Sequence, residues 1–108
     1  MDEKDAPYLV YITCPDRALA GEIARSLGEK GLAAGANIIP CVESIYRWRG
    51  ETRRRSECAL FVQASGKALG RLREEAAALH TDLVPCILET PVSGGQPEFL
   101  RWIEENSG

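Results

Sequence analysis

The apolar positions alternate in some stretches and recur at helical spacing in others, and this divides the chain into elements. Tyr8 to Thr13 is a β-branched and aromatic run that closes at Cys14-Pro15-Asp16, so it predicts a first strand ending in a turn. Asp16 then serves as an N-cap. Leu19, Ala20, Ile23, Ala24 and Leu27 recur at helical spacing and Gly31 supplies the stop, which predicts an amphipathic helix over about residues 17–30. From Ala36 to Ala64 no helical period survives and Arg49-Gly50 is the one turn signal, so the spacing predicts two long strands joined by a tight hairpin. Each arm of about 12 residues would run roughly 40 Å, so its tip should project beyond a core of radius of gyration about 13 Å.

Beyond Ser65-Gly66, Leu69, Leu72, Ala76 and Leu79 predict a second helix ending near His80. Leu83 to Leu88 reads as a fourth strand, where Pro85 suggests an edge position or a bulge. Pro97 suits a first helical position, and Phe99, Trp102 and Ile103 give the last helix its apolar face. The order β-α-β-β-α-β plus a terminal helix is the split-βαβ, ferredoxin-like pattern, an α+β fold with an antiparallel sheet and both main helices on one face. The other sheet face is then uncovered. That face, together with Ile45, Tyr46 and Trp48 on an overhanging hairpin, asks for another subunit.

Length and composition narrow the class. With 108 residues, 44% of them hydrophobic and 27% charged, the chain reads as one ordinary globular domain spanning 1–108. A net charge of -3 gives no general attraction to nucleic acid or anionic lipid. Met1 to Pro7 is charged and lacks a signal-peptide core, and no run approaches a membrane span, so a cytoplasmic protein is expected.

Three stretches then carry a resemblance: Thr13 to Asp16, Leu32 to Pro40, and Glu43 to Glu51 with its Ile45-Tyr46-Arg47-Trp48-Arg49-Gly50 core. Together they resemble the CutA family of divalent cation tolerance proteins over nearly the whole chain, and Phe99 to Ile103 is similar as well. The resemblance implies a ferredoxin-like homotrimer whose hairpins wrap neighbouring subunits, with a link to tolerance of copper or other divalent cations. It also implies an architecture like that of the PII signalling proteins. The chain departs from the family's usual residues at Cys41, at Gln63-Ala64, and between His80 and Cys86, where only His80 and Pro85 match.

Candidate chemistry is sparse. There is no P-loop, no G-x-G-x-x-G, no H-E-x-x-H and no nucleophile elbow, so a binding module is expected rather than an enzyme. His80 is the only histidine; with Cys14 and Cys86 it would make a soft site suited to Cu(I) or Zn(II), or else it simply ends a helix and binds nothing. Tyr46 and Trp48, two apart in a strand, share a face that suits either a subunit contact or a stacked ligand; Ile45 and Trp102 join them as interface or cleft residues. Arg47, Arg49, Arg53, Arg54 and Arg55 would bind an acidic group or pair with Glu43, Glu51 and Glu57. With Trp48 opposite Glu51, paired residue numbers sum to 99 and Cys41 faces Cys58, unless an extra residue near Pro40 breaks the count. The reading is therefore a trimeric module binding a metal ion or small ligand at subunit clefts, with a protein scaffold or a PII-like signalling module as alternatives.

Overall fold

The computed structural model describes residues 6–108; Met1 to Asp5, and with them most of the charged N-terminal stretch, lie outside the described residues. Four strands and three helices follow in the order β1 (Pro7–Cys14), α1 (Arg17–Glu29), β2 (Gly35–Trp48), β3 (Glu51–Ser65), α2 (Leu69–Leu79), β4 (Ile87–Pro91) and α3 (Pro97–Glu105). The sheet order is β2-β3-β1-β4, and all its pairings are antiparallel. The predicted ferredoxin-like α+β arrangement is what forms.

Alternation along β1 and β3 sorts their side chains between two faces. Val10, Ile12 and Cys14 of β1, with Cys58, Leu60, Val62 and Ala64 of β3, point to the helices and are buried against Leu19, Ile23, Leu27, Leu72 and Ala76. Asp16 caps α1 as its spacing predicts, its Oδ1 accepting from the Leu19 amide at 2.8 Å. On the opposite face lie Tyr11 and Phe61, whose rings meet at 5.3 Å, and Leu88, which is 63% exposed. α3 covers only one end of that face, where Trp102 lies so close to Gly35 that a Cβ there would come within 2.9 Å of the ring.

The hairpin turns at Arg49 and Gly50, both with positive φ (50° and 81°), which is the two-residue turn whose twist matches that of the strands. Its arms of 14 and 15 residues stretch the molecule to 44 Å along its longest axis. No residue from Asn37 to Ser56 is buried.

Two expectations are corrected. The fourth strand is Ile87–Pro91 and not Leu83–Leu88: Pro85 has no N–H for the ladder, and residues 83–86 are spent carrying the chain from α2 to the β1 edge. The hairpin register holds from Trp48 opposite Glu51 to Val42 opposite Glu57, then shifts, so that Ile39 faces Ala59. Pro40 and Cys41 together oppose Cys58 in a β-bulge, and Cys41 has no direct partner. Cys58 instead donates its S–H to the Pro40 carbonyl at 3.1 Å, and the residue directly opposite it on the other side is Cys14 of β1.

Because Leu72 is fully buried between α2 and the sheet, Leu72→Ala should lower unfolding free energy by about 2–5 kcal/mol in urea denaturation. A loss below about 0.5 kcal/mol would mean that α2 does not carry the core.

Candidate ligand cleft

The bulge decides which β2 side chains see which face. Below it Ala36 and Ile38 oppose Val62 and Leu60, on the helix side; above it Val42, Ser44 and Tyr46 oppose Glu57, Arg55 and Arg53, on the other side. One inserted residue therefore moves Val42, Ser44, Tyr46 and Trp48 to the helix-free face. There they wall a cavity of about 680 Å³ whose other sides are Tyr11 and Thr13 of β1, Arg55 and Glu57 of β3, and Asp82, Leu83, Val84 and Cys86 of the α2–β4 loop.

The cavity floor is a closed polar circuit. Arg55 Nη2 donates to Glu57 Oε2 at 2.8 Å and to Asp82 Oδ2 at 2.5 Å. The Ser44 and Thr13 side chains also hydrogen-bond Glu57. Asp82 is placed by His80: the Asp82 amide donates to His80 Nδ1 at 3.0 Å, which leaves Nε2–H to donate to the Thr13 carbonyl at 2.7 Å. Thr13 thus closes the ring at both ends. Burial pushes the Glu57 carboxyl up, but hydrogen bonds from Arg55 and Ser44, the Arg55 charge and the Thr13 hydroxyl outweigh it and hold the carboxyl below its usual range. The same two carboxylates raise the Arg55 guanidinium further, so the cation persists at any ordinary pH.

The three residues expected to form a soft-metal set, Cys14, Cys86 and His80, are not gathered into one. Cys14 is fully buried on the helix side, whereas Cys86 lines the cavity on the opposite face, joined to β1 by its carbonyl accepting from the Thr13 amide at 3.3 Å. His80 is buried with both ring nitrogens engaged. Among the described residues no three His, Cys, Asp or Glu side chains are grouped to hold a metal ion. A divalent cation with three protein ligands does not fit this arrangement within one chain.

Other expected residues are placed as follows. Tyr46 and Trp48 share the cavity wall, half-buried, as their two-residue spacing predicts. Ile45 also borders the cavity, although it opposes Arg54 and is 62% exposed. Trp102 is outside the cavity, at the α3 end of the sheet, stacked with Phe99 at 5.1 Å between ring centres. The arginines are engaged near home: Arg53 with Glu51 at 3.2 Å, Arg54 with Glu43 at 3.7 Å, Arg49 over the Trp48 ring and Arg47 on the Gly50 carbonyl. Arg55 pairs with Glu57 as the sequence suggests, whereas the Arg55–Asp82 contact and the burial of Glu57 are not legible there. The two-residue spacing of Arg53, Arg55 and Glu57 was the available signal for a shared face.

A family model described as CutA1 divalent ion tolerance protein matches residues 8–106. The divalent-cation tolerance protein CutA of Thermus thermophilus is 42% identical over 100 residues, 93% of this chain and 97% of that protein. The protein of the same name from Archaeoglobus fulgidus is 38% identical over 96 residues, 89% and 93% of the two chains. A solved structure described as divalent cation tolerance protein (Cut A1) from Thermus thermophilus superposes with a TM-score of 0.92 at 41% identity, covering 94% of this chain and 99% of that one.

The folded-state value of Glu57 lies below the ordinary 4.5, so its stabilising contribution is present above that value and is lost as pH falls through the lowered one. Glu57→Gln should cost about 1–3 kcal/mol near neutral pH. It should also lose less stability than the native chain between about pH 6 and pH 3. Parallel stability curves for the two chains would contradict this placement of the carboxylate.

Proposed function

Since the chain belongs to the CutA1 divalent ion tolerance family, we propose that it works as a homotrimeric, non-enzymatic module whose hairpin cavity becomes an intersubunit cleft for a small ligand. The observation that carries this reading is the uncovered sheet face. Tyr11, Phe61, Leu88, Tyr46 and Trp48 lie on a face that the chain's own helices leave open except at the α3 end, and no residue of the hairpin from Asn37 to Ser56 is buried. A second and third copy seated there would remove this apolar surface from water, at about 25 cal/mol per Å².

Binding rather than catalysis is supported by how the polar groups are used. Arg55, Glu57, Asp82 and His80 satisfy one another, so they shape and charge the cleft without leaving a base and nucleophile poised together. The aromatic wall of Tyr46 and Trp48 suits a flat or apolar ligand body. The names of the relatives connect such modules with divalent cations, and we carry that connection over as a role in the response to metal, copper included. Four free cysteines suit a reducing cytoplasm. Among the described residues no helix is long and apolar enough to cross a membrane.

Light scattering of the purified protein at micromolar concentration should give three times the 11.8 kDa chain mass. Phe61→Asp, which puts a charge on the open face, should shift it to the monomer, whereas Glu22→Ala on the exposed side of α1 should not. A native chain that runs as a stable monomer would refute the assembly.

A further inference from the structure

The charges around the cleft do not cancel. At its rim Arg53 is paired with Glu51 at 3.2 Å and Glu43 with Arg54 at 3.7 Å. At its floor a single guanidinium, Arg55, lies between two carboxylates, Glu57 at 2.8 Å and Asp82 at 2.5 Å. Glu57 stays ionised because its donors hold it below the usual carboxylate range. With the rim ions paired among themselves, the floor keeps one negative charge in excess. We propose that the cleft binds an organic ammonium ion on an apolar body, with the cation at the floor beside Asp82 and the body against the aromatic wall. The proposal rests on the reading of this cavity as a ligand cleft and names the class of ligand, but it does not depend on the number of subunits.

The same residues discriminate among ligand classes. An anion would face Glu57 and Asp82 and find both guanidinium groups of the lining, Arg53 and Arg55, already engaged by carboxylates. Drawing Arg55 away would strand Glu57, whose side chain is only 6% exposed, as a buried unpaired charge. A neutral body would cover the excess charge with nothing to answer it. A divalent metal ion wants several converging ligands, and among the described residues no three His, Cys, Asp or Glu side chains are grouped to hold one. An organic ammonium ion needs no coordination sphere: it answers one excess charge with one charge.

The walls complete the match. Aromatic faces within about 6 Å attract a cation through the ring quadrupole, and Tyr11, Tyr46 and Trp48 place three rings on this one lining. Arg49 already sits over the Trp48 ring at 5.5 Å, so this indole holds a cation in the folded chain. Asp82 is the carboxylate that a ligand can meet, since its side chain is 22% exposed against 6% for Glu57. Val42, Leu83 and Val84 give an apolar body a surface to lie on.

The test is a ligand-observed NMR titration of the native full chain with probes of one shape and different charge: 2-phenylethylammonium, 2-phenylethanol and 3-phenylpropanoate. The ammonium should bind at least about tenfold more tightly than the alcohol or the acid. Raising NaCl from about 0.05 M to about 0.5 M should weaken the ammonium several-fold and leave the alcohol unchanged, a comparison that needs no variant. Asp82→Asn, checked for native melting behaviour, should weaken the ammonium at least about tenfold, and Tyr46→Leu should weaken it as well. Glu22→Gln, which removes a charge from the exposed side of α1, should change nothing. Equal affinity for the probes, preference for the acid, ammonium binding indifferent to salt, or full ammonium affinity in Asp82→Asn would overturn the assignment. Preference for the alcohol or the acid would reject the charge of the ligand and keep the cleft, whereas a chain that binds none of the probes would reject the inference outright. A monomer that still selects the ammonium would sink the trimer and keep the inference.

Discussion

One inserted residue in β2 governs the chemistry of this molecule. The bulge at Pro40 and Cys41 changes which side of the sheet each later residue of the strand faces, because side chains alternate with a period of two. Without it Tyr46 and Trp48 would lie on the helix side, beyond the helices, and the helix-free face would receive Ile45 and Arg47. With it the aromatic residues wall a cavity, and Ile45, paired with Arg54, is left at its exposed border. The same irregularity frees the Pro40 carbonyl for the Cys58 thiol and leaves Cys14 as the direct partner of that thiol.

Two kinds of pairing meet at Thr13. Its carbonyl receives the His80 ring, and its side chain reaches Glu57, so a single β1 residue joins the end of α2 to the base of the hairpin. Asp82 and Arg55 complete the path. A buried carboxylate such as Glu57 is costly unless several donors meet it, and here Arg55, Ser44 and Thr13 do. The circuit therefore gives the cavity a rigid polar floor under an apolar, aromatic wall. His80 belongs to the same circuit, with both ring nitrogens engaged in it.

The sheet divides its labour by face. The helix side holds the continuous core and, near its margin, the two opposed thiols; the other side holds the cavity at one end, an aromatic and aliphatic middle, and α3 at the far end. Stability thus comes from one face, while the cavity and the open aromatic surface lie on the other.

What the sequence alone determined is local in origin. Asp16 as a cap, the helical stripes of α1 and α2, the Arg49-Gly50 turn and the pairing from Trp48 to Val42 all depend on residues a few positions apart, and each forms as its spacing predicts. The tertiary structure decided what depends on accumulated register or on distant partners. Pro40 marks where an extra residue could fall, but alternation alone does not decide whether one does, and the bulge reassigns every residue beyond it. β4 begins four residues later than its apolar run suggests, because Pro85 and the span from α2 to the β1 edge consume that run. Arg55 and Asp82 lie 27 residues apart, and Cys14 and Cys58 are further still, so only the folded sheet brings them face to face.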